Sequence, residues 1–236
     1  MFKAIIFDLD GVIVDSHPLH TEAWKRFLSS RGIIAADEEL ALVRSGENKE
    51  EILRHFIGDL SEHQLRAYGE QKDRFYREKV RELKTVKGVR QLLKQLKHAG
   101  VPCAVASSGS FRRVHETLDL LRLRGCFATV ATAAEFKMGK CDPAIFLRSA
   151  QWMRVRCEEC LVFEDSVIGV RSATAIRMKC VGIADPVRGR ALLEAGAEVV
   201  FPNFAHVTVS DLNALYTTAL QGTRDLHLQA SSMRAG

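Results

Sequence analysis

Asp8 and Asp10 stand two residues apart where an apolar run ends, in the string Phe7-Asp8-Leu9-Asp10-Gly11-Val12. Strand side chains alternate, so positions i and i+2 start out on one side. Gly11 then permits a tight turn with close backbone approach. Two neighbouring carboxylates repel: both stay ionised only beside a cation, or one takes up a proton at a raised pKa. Either outcome serves catalysis, since one carboxylate attacks while the other donates a proton. Taken alone, the string also fits an acidic turn that closes a strand.

Three further strings carry the argument past that plain reading. Ala104-Val105-Ala106 runs into Ser107-Ser108-Gly109, whose hydroxyl and backbone N–H groups suit an anion. Gly139-Lys140-Cys141-Asp142-Pro143 places a lysine ahead of an apolar helix, and Phe163-Glu164-Asp165-Ser166 puts a second acidic pair at the end of an apolar run. In open α/β sheets ligands bind outside the carboxyl ends of the strands, so the four strings converge on one rim. Oxygen ligands from Asp8, Asp165 and a backbone carbonyl suit Mg²⁺, a hard cation that keeps several waters. No His or Cys cluster competes for a softer metal. Ser107 and Lys140 supply a donor and a positive charge for an oxyanion, which a phosphate dianion beside carboxylates requires. The set reads as phosphoryl transfer through an aspartyl phosphate.

A sheet must hold these strings together. Five apolar runs, Lys3–Leu9, Pro102–Ala106, Phe127–Thr132, Cys160–Phe163 and Lys179–Ile183, alternate with amphipathic stretches at Val89–Ala99, Arg112–Leu121, Ala144–Met153 and Val167–Ile176. That alternation predicts βαβ units and a mostly parallel α/β sheet with strands apolar on both faces. Residues 17–82 break the rhythm. They show no strand but helical periods at Leu19–Ser30, Glu38–Val43, Lys49–Ile57 and Glu62–Arg81, punctuated by Gly32, Gly46 and Gly58. A four-helix insertion into the first βα connection follows, of a kind that often serves as a lid. From about residue 221 the apolar period is lost, which reads as a flexible tail.

Composition bounds the class. The 236 residues are 47% apolar and 27% charged, an ordinary globular usage. No apolar run approaches the ~20 residues that cross a bilayer. The first apolar stretch is too short for a secretion signal. The expectation is a cytoplasmic protein that engages neither membrane nor nucleic acid. Its 34 Lys and Arg against 29 Asp and Glu leave +5 charges, spread along the chain. Arg112-Arg113, one of the densest basic pairs, falls at helical spacing and reads as a solvated helix face. The six cysteines read as reduced, buried thiols, and Cys157 and Cys160 lack the further ligands of a closed zinc site.

Asp8-Leu9-Asp10-Gly11-Val12-Ile13-Val14-Asp15-Ser16, Ser107-Ser108-Gly109, Gly139-Lys140 with Pro143 and Phe146, and Glu164-Asp165-Ser166-Val167-Ile168-Gly169 occur in this order. They resemble the four motifs of the haloacid dehalogenase superfamily, in its branch of helical-cap phosphatases and phosphomutases. The likeness covers about residues 1–215. It implies a Rossmann-like parallel core over residues 1–16 and 83–220, with a cap over 17–82 hinged at Ser16 and near Thr85. It also implies the roles. Asp8 is the nucleophile and a Mg²⁺ ligand. Asp10 protonates the leaving oxygen, later activates the acceptor, and offers its backbone carbonyl to the metal. Ser107 and Lys140 hold the phosphoryl group; Asp165 ligates the metal, and Glu164 orients a water on it. Ser108, Gly109, His20 and Lys49 are expected at the substrate. His20 has a second reading, in which it merely packs on Trp24 across a helical turn.

Asp10 also separates this chain from the dehalogenases and phosphonoacetaldehyde hydrolases of the superfamily, which lack the second acid. Phosphomutases of this branch grip a distal phosphate with a cap arginine in a Gly-x-Ser-Arg-x-x-Ser-like stretch. Here the run is Gly46-Glu47-Asn48-Lys49-Glu50-Glu51-Ile52. Lys49 keeps a charge without the bidentate fork, and three glutamates weaken attraction for a second phosphate. The expectation is therefore a monomeric phosphatase acting on a small phosphorylated metabolite such as a sugar phosphate. A phosphomutase of the β-phosphoglucomutase type is the alternative. A non-catalytic binding protein would be expected to lack one of Asp8, Asp10, Lys140 or Asp165, and all four are present.

Overall fold

Short runs of β-branched and apolar residues form six strands in the computed structural model, which describes residues 1–36, 38–44, 49–132 and 143–217. They are β1 (Ala4–Phe7), β2 (Cys103–Ser107), β3 (Thr129–Thr132), β4 (Cys160–Glu164), β5 (Lys179–Ile183) and β6 (Val199–Phe201). Neighbours pair in parallel in the order β3-β2-β1-β4-β5-β6. This is the doubly wound, Rossmann-like order, and its switch point lies between β1 and β4. The sequence reading foresaw five strands. β6 is a three-residue edge strand, too short to carry a periodic signal.

The helices among the described residues are α1 (His17–Ser29), α2 (Lys49–Ile57), α3 (Glu62–Glu78), α4 (Val89–His98), α5 (Phe111–Leu120), α6 (Ala144–Met153), α7 (Val167–Ala175), α8 (Pro186–Ala195) and α9 (Val209–Thr217). Alternation along the strands splits the core into two layers. Ile5, Phe7, Val105, Leu161 and Phe163 join apolar residues of α4, α5 and α9 on one face. Ala4, Ile6, Ala104, Val162 and Cys180 join those of α6, α7 and α8 on the other. With both faces covered, these strands read as unbroken apolar runs.

Between β1 and α4 the chain builds a separate core from Trp24, Phe27, Leu28, Leu40, Ile52, Leu53, Leu60 and Leu65. Of the four helices expected here, three are α-helices. The segment expected over Glu38–Val43 is instead a 3₁₀ helix, Glu39–Arg44. Six residues offer too few hydrogen bonds to offset α-helix nucleation, and 3₁₀ turns serve such short pieces. The helix expected over Glu62–Arg81 ends at Glu78 and passes into a second 3₁₀ turn, Val80–Glu82. Its start is a capping box, with Ser61 and Gln64 bonding each other's backbone N–H. The two linkers into and out of this insertion pair with each other: Asp15 N donates to Lys84 O at 2.9 Å, and Val86 N to Ile13 O at 3.0 Å. No helix among the described residues is long and apolar enough to cross a membrane. The tail expected from residue 221 lies outside the described residues.

Leu92 of α4 is fully buried in the first layer. Leu92→Ala should destabilise the fold by about 2–5 kcal/mol through lost burial and the cavity left behind. Urea denaturation should show this as a lower midpoint at unchanged slope.

Candidate active site

Register brings the acids together. Phe7 pairs with Val105 on one side and Phe163 on the other, and the Asp8 N–H donates to Phe163 O at 2.9 Å. Asp8 therefore leaves the sheet between the ends of β2 and β4, beside Ser107 and Glu164. Carboxylate oxygens of Asp8, Glu164 and Asp165 all lie within 4.8 Å of one another, and all three residues are buried. Burying a carboxylate costs several kcal/mol unless it is paired, and three together add mutual repulsion. Three hard oxygen donors at this spacing fit a divalent cation of the Mg²⁺ kind.

The string Glu164-Asp165-Ser166-Val167-Ile168-Gly169 is one physical unit. Glu164 Oε2 accepts from the N–H groups of Asp165 and Ser166 at 2.8 and 2.9 Å, and from Ser166 Oγ at 2.9 Å. Ser166 in turn caps α7 by accepting from Gly169 N. A Cβ at Gly169 would collide with the Glu164 carboxylate, so a side chain is excluded there. On the β1 side, Gly11 has φ +78°, and a Cβ on it would collide with the Asp165 carboxylate and with His17.

Asp10 is tied differently. Its Oδ1 accepts from Ser16 Oγ at 2.6 Å, and its two oxygens take both Nη groups of Arg113 at 2.9 and 2.6 Å. His20 Nε2 stands 3.5 Å from Oδ1. Burial alone would raise the Asp10 carboxyl, but the Arg113 guanidinium and the His20 bond hold it well below the usual carboxylate range. This corrects the reading of Arg112-Arg113 as a solvated face. Arg112 is 79% exposed and pairs with Glu116 one turn on, whereas Arg113 is 18% exposed. Ser110 caps α5, and the first turn that follows aims Arg113 at the rim and Arg112 at solvent. The guanidinium fits because Gly109, against which it packs, has no Cβ.

The inserted helices add a second polar layer above Asp10. His20 of α1 stacks on Tyr76 of α3 at 4.4 Å between ring centroids. Lys72 of α3 lies 2.8 Å from His20 Nδ1. A charged lysine only donates, so Nδ1 accepts and the ring proton sits on Nε2, facing Asp10. Burial, then the nearby Lys72 charge, push His20 down to about 3, so its ring is neutral. Burial also drives Lys72 down to about 7, with Asp73 opposing and Arg113 and Lys49 assisting. Lys49 bonds Asp73 at 2.6 Å, so the cation expected over the substrate is already paired within the insertion. Ile52 is buried in the core of the insertion.

Ser107 is buried and its Oγ accepts from Gly109 N at 3.1 Å, while Ser108 is exposed. Lys140, with Gly46, Glu47 and Asn48, lies outside the described residues. The structure thus gathers Asp8, Glu164, Asp165, Asp10 and Ser107 at one rim and sets His20 above it; Lys49 is one layer further out. Arg113, Lys72, Tyr76 and His17 were missed by sequence reasoning. Arg113 alone left a signal, an Arg in the first turn after a strand-end Ser-Gly loop.

Residues 2–177 match the family model of haloacid dehalogenase-like hydrolases. The chain is 32% identical over 203 residues to the phosphorylated carbohydrates phosphatase of Thermotoga maritima, covering 83% of this chain and 92% of that one. It is 30% identical over 210 residues to hexitol phosphatase A of Escherichia coli, covering 88% and 94%. The crystal structure of β-phosphoglucomutase from Clostridium difficile shares the fold with a TM-score of 0.81 at 24% identity, over 92% of this chain and 98% of that chain.

Lys72 loses its proton as pH rises through about 7, and the profile of kcat/KM reports groups of the free enzyme. With an anionic phosphate ester as substrate, kcat/KM should fall across that range. Lys72→Arg, which stays charged, should remove the fall. An unchanged fall in Lys72→Arg would assign it to another group.

Proposed function

Because the chain belongs to the haloacid dehalogenase-like hydrolases, we propose that it is a Mg²⁺-dependent phosphatase of small phosphorylated metabolites, sugar phosphates first among them. The observation that carries this reading is the buried cluster of Asp8, Glu164 and Asp165 at the strand ends, with Asp10 two residues beyond Asp8. Asp8, Asp165, Glu164 and the Asp10 backbone carbonyl are the groups that would hold the ion. When bound, it supplies the charge compensation that lets a phosphate dianion approach three carboxylates.

The chain's own residues do the rest. An Asp8 carboxylate oxygen attacks phosphorus, forming an aspartyl phosphate as the ester P–O bond breaks. Asp10 gives its proton to the leaving oxygen. In the second half Asp10 takes a proton from water, which attacks phosphorus and releases Asp8 and inorganic phosphate. Asp10 is held ionised by Arg113 in the geometry described, so substrate must draw it from the guanidinium before it can carry that proton. Ser107, with Lys140, steadies the transferring group. Residues 17–82 act as the cap, hinged on the paired linkers at Asp15–Ser16 and Lys84–Thr85, and bring His20 and Lys72 onto the substrate.

Hydrolysis is favoured over phosphate transfer between positions of one sugar. Lys49 is neutralised by Asp73 and Ile52 is buried, which leaves this stretch without a fork for a second phosphate. The two phosphatase relatives point the same way. A phosphate-release screen across sugar phosphates and hexitol phosphates, with and without Mg²⁺, should give Mg²⁺-dependent release from several of them. Conversion of β-glucose 1-phosphate to the 6-phosphate with little release would establish the mutase instead, and silence on every substrate would favour a binding protein. Asp8→Asn should reduce turnover to background and abolish ³²P labelling of the acid-quenched enzyme. Retained turnover would refute the covalent route.

A further inference from the structure

The acid cluster has an outer partner that the reaction above leaves unused. His17 Nε2 bonds Asp165 Oδ2 at 2.6 Å, with side-chain exposures of 15% and 3%. Arg188, in the first turn of α8, reaches the same oxygen at 3.5 Å and is itself held by Asp185 at 3.2 Å. Gly11 presses on this pair from the Asp8–Asp10 turn, where a Cβ would collide with both the Asp165 carboxylate and the imidazole. A crevice of about 410 Å³ lies beside His17 and Arg188.

Position gives this contact a second consequence. His17 is the first residue of α1, immediately after the linker that enters the helical insertion. It therefore spans from the insertion to a carboxylate of the core 148 positions along the chain. Hydrogen bonds to a ligating carboxylate orient it, and their loss commonly costs ten- to a hundredfold in metal affinity.

We propose that His17 is a positioning residue for the divalent ion: it holds one oxygen of Asp165, sets the orientation of that carboxylate, and ties the first turn of the cap to metal occupancy. The inference rests on the metal-dependent reading above and adds to it a specific residue and a coupling. A merely electrostatic role makes the opposite forecast. If His17 only stands in as a cation beside the acids, its removal tightens metal binding, because a competitor is gone.

The test uses the purified full chain without substrate. Titration calorimetry with Mg²⁺ should show His17→Ala binding about ten- to a hundredfold more weakly than wild type. His17→Gln, which keeps an N–H donor, should recover part of that loss. Hydrogen exchange should show Mg²⁺ slowing the first-turn amides of α1 in wild type and not in His17→Ala. Equal or tighter binding by a folded His17→Ala, or by the donor-free His17→Leu where the alanine variant does not fold, overturns the positioning role. Equal Mg²⁺ protection of α1 in both proteins overturns the coupling. Absence of Mg²⁺ binding to wild type would instead overturn the metal-dependent reading itself.

Discussion

Three carboxylates that repel one another are held within 4.8 Å in a buried site, and the surrounding architecture is what makes that arrangement possible. The sheet sets the spacing, because β1 and β4 are hydrogen-bonded neighbours whose register places Asp8 next to Glu164. The turn after β4 binds one oxygen of Glu164 through two backbone N–H groups and the Ser166 hydroxyl. His17 and Arg188 take up an oxygen of Asp165. Each device lowers the cost of burying negative charge while leaving the cluster acidic enough to attract a cation.

A second chain of charge runs outward from Asp10. Arg113 grips the carboxylate from the core, Ser16 bonds it from the linker, and His20 approaches it from the insertion. Lys72, Asp73 and Lys49 continue the series across α3 and α2. Signs alternate through most of this series, which lets charged groups sit out of water. The exception is Lys72 against neutral His20, where burial prevails and brings the lysine near 7. Most of these groups lie on the insertion and a few on the core, so relative movement of the two would rearrange the charges around Asp10.

Much of the site was legible before any fold was known. The acids, Ser107 and Glu164 lie within a few residues of strand ends, and strand ends are marked locally by apolar runs that stop at Gly, Ser or Asp. Helical periods likewise marked the insertion, although its shortest segment is a 3₁₀ helix, since so short a piece gains few hydrogen bonds to offset α-helix nucleation. The edge strand β6 leaves no such mark, since three residues carry no period.

What the chain's order of residues determined by itself was the class of chemistry and the parallel sheet beneath it: residue type and spacing specify carboxylates, a turn and a strand within one short window. Tertiary structure alone decided which of two adjacent arginines faces solvent and which grips Asp10. It also decided that Lys49 is paired with Asp73 and that His17 reaches Asp165. The physical reason is distance along the chain. Arg113 meets Asp10 across 103 positions, and His17 meets Asp165 across 148. No local pattern encodes such partners; they become neighbours only when β1, β2 and β4 align.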